Sequence, residues 1–179
     1  MLRNPNINKN KTNGGLMNKL KFKLGLLILS ISLLGFVLFY PQGTDVPYPE
    51  GYRGWTHIKS MVLEKGHPLY DAFGGIHHIY ANKTALSGYK AGNKFKDGSV
   101  IVFDLFEAVS KDNAITEGNR KVVGVMVKNS KKYKNTGGWG FEGFAGDSRN
   151  RVVKNMEGEC FACHMQAKEK DFVFSEYRK

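Results

Sequence analysis

The chain has 179 residues, 27 of them lysine or arginine against 16 aspartate or glutamate, a length that holds at most one ordinary domain once non-globular parts are set aside. Six of the basic residues (Arg3, Lys9, Lys11, Lys19, Lys21 and Lys23) precede an apolar run, so the rest carries 21 basic against 16 acidic residues. Those 21 are scattered, not gathered into a stripe with interleaved aromatics, which excludes a nucleic-acid surface.

In chain order, residues 1–23 read as a disordered basic tail: Met1 to Leu16 is polar and rich in Asn, and Met17, heading NKLKFKLGLL, is a second candidate start. Leu24 to Tyr40 is a run of seventeen residues without a charge. As a helix it rises about 26 Å, and the lysines before it snorkel to make up the difference from a hydrocarbon core of about 30 Å. With all six basic residues on its amino-terminal side, the tail is expected in the cytoplasm and the remainder outside. GFVLFYPQGTDV shows no small-x-small cleavage site. An uncleaved single-pass anchor over 24–40 in a bacterial inner membrane is therefore expected, with a periplasmic domain beyond it; a soluble periplasmic domain after cleavage is the alternative. Residues 41–50, with Pro41, Pro47 and Pro49, read as an extended linker, and the folded domain as 51–179.

Within that domain, Trp55–Leu63 and Gly75–Asn82 have the β-branched and aromatic character of strands. Lys83–Asn93 spaces Ala85, Leu86 and Tyr89 as a helix does, with Gly92 as its stop. An Asp97-Gly98 turn then leads into a strand from Ser99 to about Val109. Arg120–Asn129 and Gly137–Gly146 are two further strands, and DFVFSEY a short closing strand or helical turn. The fold class is α+β, mainly antiparallel sheet with one or two helices. In the strand from Ser99 one face carries Ile101, Phe103 and Leu105 and the other Val100, Val102, Asp104 and Phe106; both are largely apolar, which suits a strand between a core and something bulky.

The two cysteines, Cys160 and Cys163, stand in GECFACHM with His164 behind them. A disulfide across so short a loop removes little entropy from the unfolded chain. A thioredoxin-type pair opens a helix after a buried strand, and here Asn155–Glu159 precedes the cysteines. Zinc needs further ligands that no second cysteine pair supplies. The spacing fits covalent haem c: two thiols one helical turn apart add across the vinyl groups, and the next imidazole becomes the axial ligand of the iron. Attachment of that kind takes place outside the bacterial inner membrane, in agreement with the targeting segment.

YRGW, FGGIHHIYAN followed by FKDGSVIVFDL, then GGWGF and a final CFACH with DFVFS behind it, together resemble the cytochrome P-460 family and its branch cytochrome c′-β. The resemblance spans Tyr52 to about Tyr177. It implies a β-sheet-rich, usually dimeric fold holding one haem c, with His164 below the iron and an open position above. In the hydroxylamine-oxidising branch the haem is crosslinked to a lysine whose place here is taken by Phe103. The c′-β branch lacks the crosslink and lines the distal side with phenylalanine, favouring nitric oxide and similar small ligands.

Other distal candidates are His77, which falls where the relatives place a polar residue, and Glu142, set among aromatics in WGFEGF, where a carboxylate acts as a proton relay or pairs with a lysine or arginine. Met126 and Met156 are possible iron ligands but first of all core fillers. Trp139 and Phe141 share one strand face and Phe144 takes the other. Arg149 and Arg151 are candidates for pairing with haem propionates. The expected function is binding of nitric oxide or a related small nitrogen oxide at an open haem iron, with an unidentified redox partner if there is turnover. Hydroxylamine oxidation and low-spin electron transfer are the alternatives.

Overall fold

The structure is a computed structural model that describes residues 44–178. The expected tail 1–23, the anchor 24–40 and the first residues of the linker lie outside them. Among the described residues no helix is long and apolar enough to cross a membrane.

Five antiparallel strands form one sheet in sequence order: β1 (Thr56–Leu63), β2 (Gly75–Ala81), β3 (Val100–Lys111), β4 (Ala114–Lys128) and β5 (Trp139–Ala145). A single helical turn, α1 (Tyr70–Phe73), precedes β2, and α2 (Lys83–Lys90) joins β2 to β3. Asn82 caps α2: its Oδ1 accepts from Ala85 N at 2.8 Å and from Val100 N at 3.1 Å, so one side chain starts the helix and ties it to β3. The helix ends at Lys90, and the expected stop, Gly92, takes φ 76°.

β4 begins at Ala114, well before its expected start at Arg120, while β3 ends at Lys111, just past the expected Val109. Asp112 and Asn113 both take positive φ, 53° and 59°, the conformation a two-residue hairpin needs and that these residue types tolerate. From Ser110 to Asn119 most side chains are exposed, so no apolar alternation marks this hairpin end.

Register assigns the faces. Ile79 pairs with Phe103, Phe103 with Gly124, Ile101 with Met126, and Met126 with Phe141. These residues, with His77, Ala81, Leu105 and Trp139, share one face because side chains alternate along each strand. That face packs on α2 and on the carboxyl-terminal segment through Ala85, Tyr89, Phe95 and Val173. The other face carries Tyr80, Val102, Val123, Val125 and Phe144 and is covered by Val46 and Tyr52. β3 is therefore buried on both sides, as its two apolar faces predict; Val102 and Leu105 are wholly buried.

The boundary expected near Gly51 moves earlier. Residues 44–50 are extended but belong to the packed domain: Val46 is wholly buried, Tyr48 lies edge-on to Phe144 at 5.0 Å, and Arg151 Nη1 donates to the carbonyls of Thr44 and Val46, each at 2.8 Å. Prolines set this stretch extended, but the apolar face of β5 gives it a surface to lie on. The closing DFVFSEY is neither strand nor helix; it begins with Asp171 and Phe172 at φ 51° and 64° and runs on without regular structure.

Candidate functional site

The cysteine motif lies on a helical run: a wide π-type turn over Glu157–Phe161, a normal turn over Ala162–His164, and tighter turns over Met165–Lys170 with a kink at Ala167. Cys160 and Cys163 are unbridged thiols, both partly buried. Burial, reinforced by the charge of Glu159, pushes the Cys160 thiol up to about 11. That is the opposite of the depressed value a redox-active thiolate requires, and it suits a thiol facing an apolar group. Among the described residues, no three His, Cys, Asp or Glu side chains converge as a metal cage.

His164 is oriented by the segment that follows it. Its Nδ1–H donates to Phe172 O at 2.7 Å, which leaves Nε2 with the lone pair needed for a metal bond. Burial holds the ring below the usual imidazole pKa, against the opposing pull of that carbonyl, so the ring is kept in its neutral form. The carbonyl itself is fixed through its neighbour. Trp139 Nε1 donates to Asp171 O at 2.9 Å, and Lys128 Nζ reaches Asp171 Oδ1 at 2.6 Å while lying 4.9 Å from the Trp139 ring. Gly137 completes the anchor: a Cβ there would meet the Phe172 ring at 2.3 Å. The GGW that opens β5 thus sets the direction in which His164 points.

The sheet face beside this motif is aromatic. Phe141 lies 4.8 Å from the His164 ring, and Phe174 lies 5.1 Å from it. Further along the face, Phe103 leans over Gly124, where a Cβ would come within 3.0 Å of its ring. The His77 ring meets Phe103 edge-on at 4.7 Å, and Phe73, from α1, meets it at 6.0 Å. Met61, directly opposite His77 across β1 and β2, adds a thioether to the same face. Phe73, Met61, Phe174 and Met165 stay exposed by 38 to 52 %, an apolar surface of the kind a porphyrin covers. The neutral imidazole, the paired thiols and this aromatic wall fit a haem. Phe73 was missed from sequence; its only signal was an aromatic placed just before Gly74-Gly75.

Other candidates are not brought here. Glu142 lies on the opposite face from Phe141. Its carboxylate is wholly buried and receives Arg151 Nη1 at 2.8 Å, the Thr44 hydroxyl, and Gly143 N at 2.8 Å. It is the ion-pair partner of an arginine and not a distal relay. Arg151 is accordingly engaged, and Arg149 binds Glu50 through two nitrogens while stacking on Tyr48 at 3.4 Å, so neither arginine serves a propionate on the site face. Phe144 packs on Val46 and Tyr48, not on the site. Met156 is also occupied: its sulfur accepts from Phe141 N at 3.1 Å. Met126 stays on the site face between Ile101 and Phe141.

An antiparallel sheet that presents a Cys-x-x-Cys-His helix to an aromatic face defines a β-sheet haem protein, a class apart from the helical cytochromes. The sequence model of the cytochrome P460 family matches residues 49–175, and the chain belongs to that family. A search of curated proteins finds no match. Membership makes the chain a haem cytochrome.

His77 carries a pH dependence. The ring is 2 % exposed, and its burial, opposed by the Phe73 carbonyl and reinforced by Lys121, His67 and His78, holds its pKa below the usual imidazole value. Below about pH 6.5 the unfolded chain takes up a proton that the folded one refuses. Stability is therefore full above that pH and falls as pH drops toward the lower folded value. Urea midpoints of the haem-loaded protein are expected to decline from pH 7 to 5.5, and His77→Gln to flatten that decline; an unchanged slope would show His77 charged in the fold.

Proposed function

We propose that this is a membrane-anchored c-type cytochrome whose periplasmic domain binds nitric oxide, or a related small nitrogen oxide, at an open haem iron. Cys160 and Cys163 would carry the thioether bonds and His164 Nε2 the axial bond. The observation that carries the reading is a tautomer-fixed His164 together with the Phe73–Phe103 contact, Phe103 standing where the resemblance puts the lysine of the crosslinking branch.

A haem held by Cys160, Cys163 and His164 would supply the iron that binds the small molecule. The protein's contribution is selection and orientation. The Phe172 carbonyl holds the His164 ring and makes it a stronger donor through Nε2. Phe103 and Phe73 exclude water and disfavour charged ligands, since an ion without a partner is costly in apolar surroundings. A homodimer and an unidentified redox partner in the periplasm belong to the same reading, as does the anchor at 24–40.

A second reading, hydroxylamine oxidation, is favoured by one observation. His77 is buried beside Phe103 with Nδ1 unpartnered among the described residues, a free acceptor able to hydrogen-bond a polar substrate. The absorption spectrum of the dithionite-reduced, haem-loaded protein under argon separates the readings. A high-spin ferrous spectrum that changes on adding nitric oxide is expected, and a strongly red-shifted band would favour the crosslinked enzyme instead. A sharp low-spin spectrum would reject an open site and leave an electron carrier.

A further inference from the structure

Phe73 stands on a single helical turn with no buried residue of its own, and so short a helix has almost no independent stability. The turn hangs between Gly66 and Gly75, whose φ angles of 102° and 130° lie in the region that favours glycine. Its place must therefore be set by bonds from outside. Two such bonds end on consecutive carbonyls: His77 Nε2–H donates to Phe73 O, and Lys121 Nζ donates to Gly74 O at 2.8 Å. His77 comes from β2 and Lys121 from β4, two strands that flank the one carrying Phe103.

We propose that His77 and Lys121 are positioning residues that hold Phe73 against Phe103 and so set how readily a small ligand passes between the two rings. Phe103 is fixed from beneath, wedged over Gly124. Phe73, 38 % exposed, is the half of the pair that is free to swing once its carbonyl is released. Among the described residues the buried His77 ring bonds to Phe73 O and its Nδ1 has no partner, so the polar role of the ring in the fold is this tether. Leucine at 77 would fill the site and leave Phe73 O without a donor, whereas glutamine keeps an N–H donor. This inference rests on the open-site reading above.

The test is carbon monoxide rebinding after flash photolysis of the full-length, haem-loaded ferrous protein. His77→Leu and Lys121→Met are each expected to raise the association rate roughly three- to tenfold, the rate equivalent of one hydrogen bond. His77→Gln should return it toward the parent value. In a Phe73→Ala background neither substitution should add anything, an outcome that a merely structural role would not produce. Lys121 is exposed, so its variant keeps the test alive if His77→Leu folds poorly. Rates within about twofold of the parent, or the same acceleration with Phe73 already removed, would overturn the proposal. Ferrous protein that takes up no carbon monoxide at all would overturn the open-site reading first, and this inference with it.

Discussion

Replacing Cys160 and Cys163 together by alanine is expected to abolish covalent haem: acid–acetone should extract all of the haem from the double variant and none from the parent. Each thiol can form one thioether to one vinyl group, so either single variant should keep its haem attached through the other sulfur. The reduced pyridine haemochrome band should step to longer wavelength with each cysteine lost, because each loss leaves one vinyl group conjugated with the ring. Thiols in general owe such chemistry to their surroundings. Cys160 is held by burial in its protonated form, with Phe141 and Phe161 in the same apolar cluster, and it is a poor candidate for thiolate-driven redox exchange. Haem that remained bonded to the double variant would point to another linkage, and a lysine would then become the first suspect.

The second large effect lies on the opposite face of β3. Asp104→Ala is expected to cost about 3–5 kcal/mol of stability, the usual penalty for removing one partner of a buried ion pair. The wholly buried Asp104 carboxylate receives Arg120 Nε at 2.7 Å, Tyr52 Oη at 2.8 Å and Arg53 Nη1 at 3.1 Å. Arg120 has only 14 % of its side chain exposed, and it lies 4.7 Å from the Phe106 ring. It also pairs with the exposed Asp147, which cannot replace the lost charge in the interior. The Tyr52 phenol, already raised by burial and then by this hydrogen bond, would be left without its acceptor. Arg53, with 47 % of its side chain exposed, can turn to water and adds little to the loss. The melting temperature should fall by roughly 10 °C, while ligand binding measured below the transition stays unchanged because Asp104 faces away from Phe103. A loss under about 1 kcal/mol would mean that the network is no stronger than a surface pair.

The strands that pack on both sides were legible because burial leaves an alternating or continuous apolar pattern, as in the VIVFDLF of β3. The hairpin end beyond Val109 was not: Ser110 to Asn119 are mostly exposed, and their strand structure is inherited from the hairpin ladder. Glu142 shows the same limit at the site. A carboxylate among aromatics suggested either an ion pair or a distal group; the ion pair is what forms, and its neighbour Phe141 is the one that turns toward His164. Which side of a sheet receives the haem helix depends on where the chain goes next, and no local pattern encodes it.

By itself the sequence determined that Cys160, Cys163 and His164 stand together in one Cys-x-x-Cys-His motif, since they are neighbours whose spacing carries its own geometry. It also determined the mainly antiparallel sheet and the apolar character of both faces of β3. Only the tertiary structure decided that residues 44–50 lie docked, that Arg151 answers Glu142, that Phe172 orients His164, and that Phe73 joins Phe103. Some of those contacts join residues far apart in sequence, and others depend on how a short loop turns back. Such contacts depend on how the whole sheet registers and twists, and that is settled by packing and not by any short stretch of the chain.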